Sequence, residues 1–236
     1  FSWLTRVGWG RHVERPTHFL TRWVFLRTLG VIYLIAFLSL WLQLDGLIGS
    51  SGILPAGQFM ASVEKYFDTN GVGLDRYRQL PTLCWFGASD RFLNFLCAAG
   101  AASSILLILG VAPLFALVLL WVLYLSLSGA GQIFLGYQWD ALLLEAGFFA
   151  MLFAPRNWLP RLSRESPPSR LSVWLLRWLL FRLMFQSGVT KLVYNDSTWL
   201  DFTALAFHYE TQPLPTWIGW YAHQLPLGFQ KVSCLV

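Results

Sequence analysis

The stretch WVFLRTLGVIYLIAFLSLWLQL, residues 23–44, decides the fold class. Its only charge is Arg27, near the start, and about 20 mainly apolar residues wound as an α-helix match a hydrocarbon core roughly 30 Å thick. Lipid offers no partner to a free peptide group, so such a run crosses as a helix or not at all. Two further runs, 92–109 and 112–128, are joined by GVAP, where Pro113 suits the first turn of the second helix. They read as an antiparallel hairpin. A fourth run, 139–154, is shorter and carries Asp140 and Glu145, while a fifth, 173–193, carries Arg177, Arg182 and Lys191. The expected fold is an all-α polytopic transmembrane bundle with interfacial helices on its non-cytoplasmic face. Residues 1–236 read as one transmembrane domain, a fragment of a longer chain.

Composition agrees with this reading. Of the 236 residues, 56% are hydrophobic and 12% charged, with a mean hydropathy of +0.53, whereas globular domains carry roughly 25% charged residues. That excludes an ordinary soluble domain. The net charge of +5 does not point to nucleic acid, because the arginines flank apolar runs instead of forming one basic face. The three cysteines, Cys84, Cys97 and Cys234, lack metal-ligand spacing, and Cys97 is expected to pack within a span.

Orientation follows from the positive residues. Arg6, Arg11, Arg15 and Arg22 precede the first run, and Arg156, Arg161, Arg164 and Arg170 lie in the Pro-rich connection 155–170. With five spans these fall on one side, which the arginine excess makes cytoplasmic. The connection 45–90, read as a long polar and Gly-rich loop, then faces outward with 129–138 and the aromatic segment 194–230. In that last segment Trp199, Phe202, Phe207, Tyr209, Trp217, Trp220 and Tyr221 suit the headgroup level, and Pro213, Pro215 and Pro226 forbid one continuous helix. Short interfacial helices near 199–209 and 216–224, flanking an extended TQPLP, satisfy both constraints.

A charge at mid-span costs on the order of 3 kcal/mol on insertion scales, so Asp140, Glu145, Arg177, Arg182 and Lys191 call for partners. Depth suggests Glu145 with Arg182 and Asp140 with Lys191. Lys191, His208 and Glu210 are the candidate acid–base residues, since Lys and His shift their proton affinity readily when desolvated. His208, Tyr209, Glu210, Gln212, Trp220 and His223 form the candidate partner-binding set. Two histidines and a glutamate at this spacing fit no metal template, and no cofactor fingerprint is present, so no metal and no cofactor are expected. NDS at 195–197 fits a glycosylation sequon on the outer face.

Four segments carry a family resemblance: FLRTLGVIYLIAFLSLWLQLDGLIGSSGILP (25–55), YQWDALLLEAGFFAMLFAP (137–155), RWLLFRLMFQSGVTKL (177–192) and FTALAFHYETQPLPTWIGWYAHQLP (202–226). Together they resemble the lipase maturation factor family over nearly all of the sequence. The resemblance implies a multi-pass membrane protein that helps secreted lipases fold and assemble. Its partners would be membrane lipids and a secreted lipase client, with no nucleic acid. In eukaryotes it would reside in the endoplasmic reticulum membrane, and in bacteria in the inner membrane. It also implies that the lipase-contacting part lies largely in a C-terminal portion beyond these residues. A distant similarity to the membrane domain of vitamin K-dependent carboxylase supplies the rival reading, a membrane-embedded enzyme acting on a lipid-like or protein substrate with Lys191 or His208 as base.

Overall fold

The computed structural model describes residues 17–160, 166–193, 196–212 and 216–234. Arg6, Arg11, Arg15, Arg161, Arg164, Asn195, Pro213 and Pro215 lie outside the described residues. The described residues contain helices and no strand, so the protein is all-α. Two compact units divide the chain, Phe1–Leu176 and Arg177–Val236.

In the first unit, helix α1 covers Phe19–Leu47, α2 Ala56–Thr69, α3 Arg76–Gln79, α4 Asp90–Leu109, α5 Pro113–Ala130 and α6 Gln138–Phe153. Helix α7, Arg170–Val193, contains the division between the units. Helices α1, α4 and α5 are each long and apolar enough to cross a membrane. The stripe Leu26, Leu29, Tyr33, Phe37, Leu40 and Leu44 of α1 is buried, yet the opposite face shows Ile32, Ile35, Leu38 and Leu42. A helix apolar on both faces belongs in lipid or in a large core. This establishes an all-α membrane protein. At about 1.5 Å per residue the 16-residue α6 is roughly 24 Å long, short of a full hydrocarbon core.

Small residues let α1 and α4 approach closely. Gly30 faces Ile108 and the Ser104 carbonyl, and Gly100 faces the ring of Phe37, as expected where helices associate in lipid through packing and not through water exclusion. The core beneath is one cluster that includes Tyr33, Phe37, Leu96, Cys97, Leu117, Leu120 and Tyr124.

The hairpin between α4 and α5 turns on two left-handed residues, Gly110 (φ 77°) and Ala112 (φ 43°), and Pro113 opens α5. The Ala112 N–H donates to the Trp158 carbonyl at 2.6 Å, which ties the hairpin to the connection after α6. A Cβ on Gly110 would collide with the guanidinium of Arg27, whose Cζ lies 4.8 Å from the Trp23 ring centroid. That guanidinium sits at the C-terminus of α4, where a cation offsets the helix dipole. Gly110→Ala is therefore expected to cost about 1–3 kcal/mol, from a strained φ and a displaced cation, read as a lowered melting temperature in detergent. An unchanged melting temperature would contradict this account.

The connection 45–90, expected as a loop, is instead an ordered cap, and the expectation is corrected here. Helix α2 runs for 14 residues, with Ala56, Met60 and Phe67 buried at helical spacing. Gly and polar residues at both ends mask that periodicity. Trp85 donates to the Leu80 carbonyl (2.8 Å) within the cap, while Thr82 donates to the Ser126 carbonyl (2.8 Å) and the Leu83 N–H to Ser126 Oγ (3.1 Å), fastening the cap to α5. The Arg76 guanidinium lies 5.6 Å from the Tyr77 ring centroid and 5.8 Å from that of Trp85, with Nη1 3.6 Å from Asp68. Burial within the cap pushes the Cys84 thiol above its ordinary range, against a smaller opposing effect of Thr82.

The second unit contains α8 (Ser197–Leu200), α9 (Ala204–Thr211), α10 (Trp217–His223) and α11 (Leu227–Ser233). The helix expected near 199–209 is broken in two, because Phe202 takes a left-handed conformation (φ 57°) between α8 and α9. The helix expected near 216–224 is α10, capped by Thr216, whose hydroxyl accepts from the Gly219 N–H at 3.0 Å.

Candidate functional site

Among the charged residues of the apolar runs, Asp140 has the clearest environment. It is the third residue of α6 and only 4% exposed. Its Oδ1 accepts from the Tyr124 hydroxyl at 2.5 Å, and its Oδ2 accepts from the Tyr137 N–H at 3.1 Å, closing a capping box. A carboxylate in the first turn also favours the helix dipole. Two further ring donors fix the same helix: Tyr33 Oη reaches the Leu143 carbonyl (3.1 Å) and Trp121 Nε1 the Leu144 carbonyl (3.0 Å). Gly147 leaves room for the Tyr33 hydroxyl. Three aromatic donors from α1 and α5 thus hold α6. Composition hid them, because Tyr33, Trp121 and Tyr124 read as apolar span residues and only their donors reveal the role.

In the second unit the candidate residues form separate pairs. Lys191 Nζ lies 4.0 Å from the Trp199 ring centroid, a cation–π contact. His208 Nε2 is 2.6 Å from the Gln212 amide nitrogen, one turn along α9, and its ring meets Tyr209 edge-on. Glu210 Oε1 is 3.5 Å from His223 Nε2, which links α9 to α10. Among the described residues no hydrogen bond or ion pair joins Lys191 to His208 or Glu210. The acid–base cluster is therefore not assembled from these three. Neither Glu145 nor Arg182 is left without a partner, and Arg177 is exposed on α7.

Trp220 is exposed and meets Tyr221 edge-on, and Trp217, Ile218, Phe207 and Phe229 are also exposed. Gln230, which the sequence did not single out, is the residue that ties α11 to α10: buried, it donates from Nε2 to the carbonyls of His223 (3.0 Å) and Leu225 (3.2 Å). Removing it strands carbonyls at the C-terminus of α10. Gln230→Leu is expected to cost about 1–3 kcal/mol locally and to raise amide exchange across 217–233 without touching α4 and α5. Uniform exchange in both regions would contradict it. No group of three or more His, Cys, Asp or Glu among the described residues is placed to hold a metal ion.

Comparison with known proteins gives one answer. A profile of the lipase maturation factor transmembrane domain matches residues 20–236. The chain is 47% identical to chicken (Gallus gallus) lipase maturation factor 2 over 222 residues, covering 90% of this chain and 30% of that protein. It is 38% identical to mouse (Mus musculus) lipase maturation factor 1 over 223 residues, covering 93% and 38%, and 35% identical to human (Homo sapiens) lipase maturation factor 1 over 233 residues, covering 97% and 41%. No solved structure matches. The chain thus spans roughly a third of the length of these relatives. From the first apolar run to the aromatic segment, this chain belongs to the lipase maturation factor family.

Proposed function

We propose that this chain is the membrane domain of a factor that assists the folding and assembly of secreted lipases. The observation that carries the reading is the match of residues 20–236 to the transmembrane domain of a family whose members are named for lipase maturation. In this reading α7 also crosses the bilayer, the shorter α6 crosses where the bilayer thins around it, and 45–90, 129–138 and 194–230 lie on the non-cytoplasmic side. In a eukaryotic cell that side is the lumen of the endoplasmic reticulum. Within these residues the lipase client meets the surface around His208, Tyr209, Glu210, Gln212, Trp220 and His223, where the exposed Trp220 and half-buried Tyr209 stand beside hydrogen-bonding groups, a smaller contact than the one beyond this sequence. Exposed aromatic anchors beside polar groups are the composition of partner-binding surfaces.

The test is co-expression of the full-length protein with a secreted lipase in cells lacking their own factor. His208→Ala and Glu210→Ala are each expected to lower secreted lipase activity severalfold while leaving lipase synthesis and factor abundance unchanged. Wild-type activity from both variants would remove the client from this surface. No observation favours the enzyme reading, because Lys191 is engaged by Trp199 and His208 by Gln212.

A further inference from the structure

A cleft of about 640 Å³ opens where α1 ends and α4 begins, lined by Asp45, Ser50, Ser51, Asp90, Arg91 and Asn94. Its walls are prearranged. Both Asp90 oxygens are taken by Ser50, Oδ1 by the N–H at 2.7 Å and Oδ2 by the hydroxyl at 2.5 Å. Asn94 accepts from Trp41 Nε1 at 2.8 Å. Asp45 and Arg91 remain, opposite in sign and exposed, and among the described residues neither has an ion-pair or hydrogen-bond partner. They line one cleft without bridging each other. An unpaired acid and an unpaired guanidinium in one cleft complement a ligand that carries both charges.

The position selects the kind of ligand. Helices α1 and α4 are candidate spans, so their shared end lies at the bilayer surface, where Trp41 suits the headgroup level. One or two turns deeper, Leu38 and Leu42 on α1 and Phe95 on α4 are exposed and apolar, and Leu42 is 88% exposed. We propose that this cleft binds the headgroup of a zwitterionic phospholipid. Its phosphate sits on Arg91 near the N-terminus of α4, its amine or quaternary ammonium lies against Asp45, and its acyl chains run down the Leu38, Leu42 and Phe95 surface. The Arg91 guanidinium favours phosphate, whereas the N-terminus of α4 already carries the Asp90 carboxylate and adds nothing to that attraction. Asp45 disfavours a lipid whose headgroup has no cation, which gives the site its selectivity. The proposal rests on α1 and α4 as spans and is independent of the lipase reading.

The test is native mass spectrometry of the purified full-length protein in non-ionic detergent, titrated separately with dioleoyl phosphatidylethanolamine, phosphatidylcholine and phosphatidylglycerol. Wild-type protein is expected to bind the two zwitterionic lipids about fivefold more tightly than phosphatidylglycerol, near the ceiling for one exposed ion pair. Asp45→Asn is expected to erase that preference. Arg91→Gln weakens all three lipids, and Arg91→Lys keeps most of the binding. Equal wild-type affinity for the three lipids overturns the proposal whether or not the variants fold. So do Asp45→Asn protein with unchanged selectivity and soluble glycerophosphoethanolamine that competes as well as the intact lipid.

Discussion

Asp140→Ala is expected to destabilise the protein by about 3 kcal/mol, through the loss of one charge-assisted and one backbone hydrogen bond at a buried position. The substitution strands the Tyr124 hydroxyl in the core and leaves the Tyr137 N–H at the start of α6 without its acceptor. Tyr124→Phe should cost about 2 kcal/mol, since it leaves a buried carboxylate with one donor fewer. Because both changes remove the same bond, the double variant should be less destabilised than the sum by at least about 1 kcal/mol. Strict additivity in detergent melting experiments would sink this account. Lys191→Met separates it from the pairing expected by depth: if Lys191 neutralises Asp140, Lys191→Met matches Tyr124→Phe. If Tyr124 and Tyr137 satisfy the carboxylate, the loss stays within about 1 kcal/mol, the scale of the cation–π contact with Trp199.

These results bear on what residue types can reveal. Apolar runs identify α1, α4 and α5, because the bilayer selects length and hydropathy, which are written directly in the sequence. The cap at 48–86 was not legible, because Ala56, Met60 and Phe67 are too sparse a stripe beside Gly49, Gly52 and Gly57. The Tyr33, Trp121 and Tyr124 donors were hidden for a different reason: an aromatic ring counts as apolar in any hydropathy sum, whereas its one polar atom decides what it binds. Glu210 with His223, and Gln230 with the end of α10, join residues 13 and 7 apart across a helix break, which no single helical period exposes. The sequence nominated the candidate residues, and their pairings are seen only in the structure.

Gly100 is the position where one added methyl should do the most damage. A Cβ there would lie 2.3 Å from two ring carbons of Phe37, a side chain with no exposed surface. Movement of the ring is opposed by its neighbours: Tyr33 stacks on it at 6.3 Å and Tyr124 meets it edge-on at 5.6 Å between centroids. Gly100→Ala must therefore push α1 from α4 or drive Phe37 off its rotamer, at about 2–3 kcal/mol, and Gly100→Val should leave little folded protein. Gly188→Ala in α7 is the control, since nothing lies within 4 Å of its Cβ and a helix gains about 0.5–1 kcal/mol when alanine replaces glycine. Shortening the ring in Phe37→Leu should recover about half of the Gly100→Ala loss. If Gly100→Ala melts at the wild-type temperature, the close approach of α1 and α4 is not what fixes the bundle.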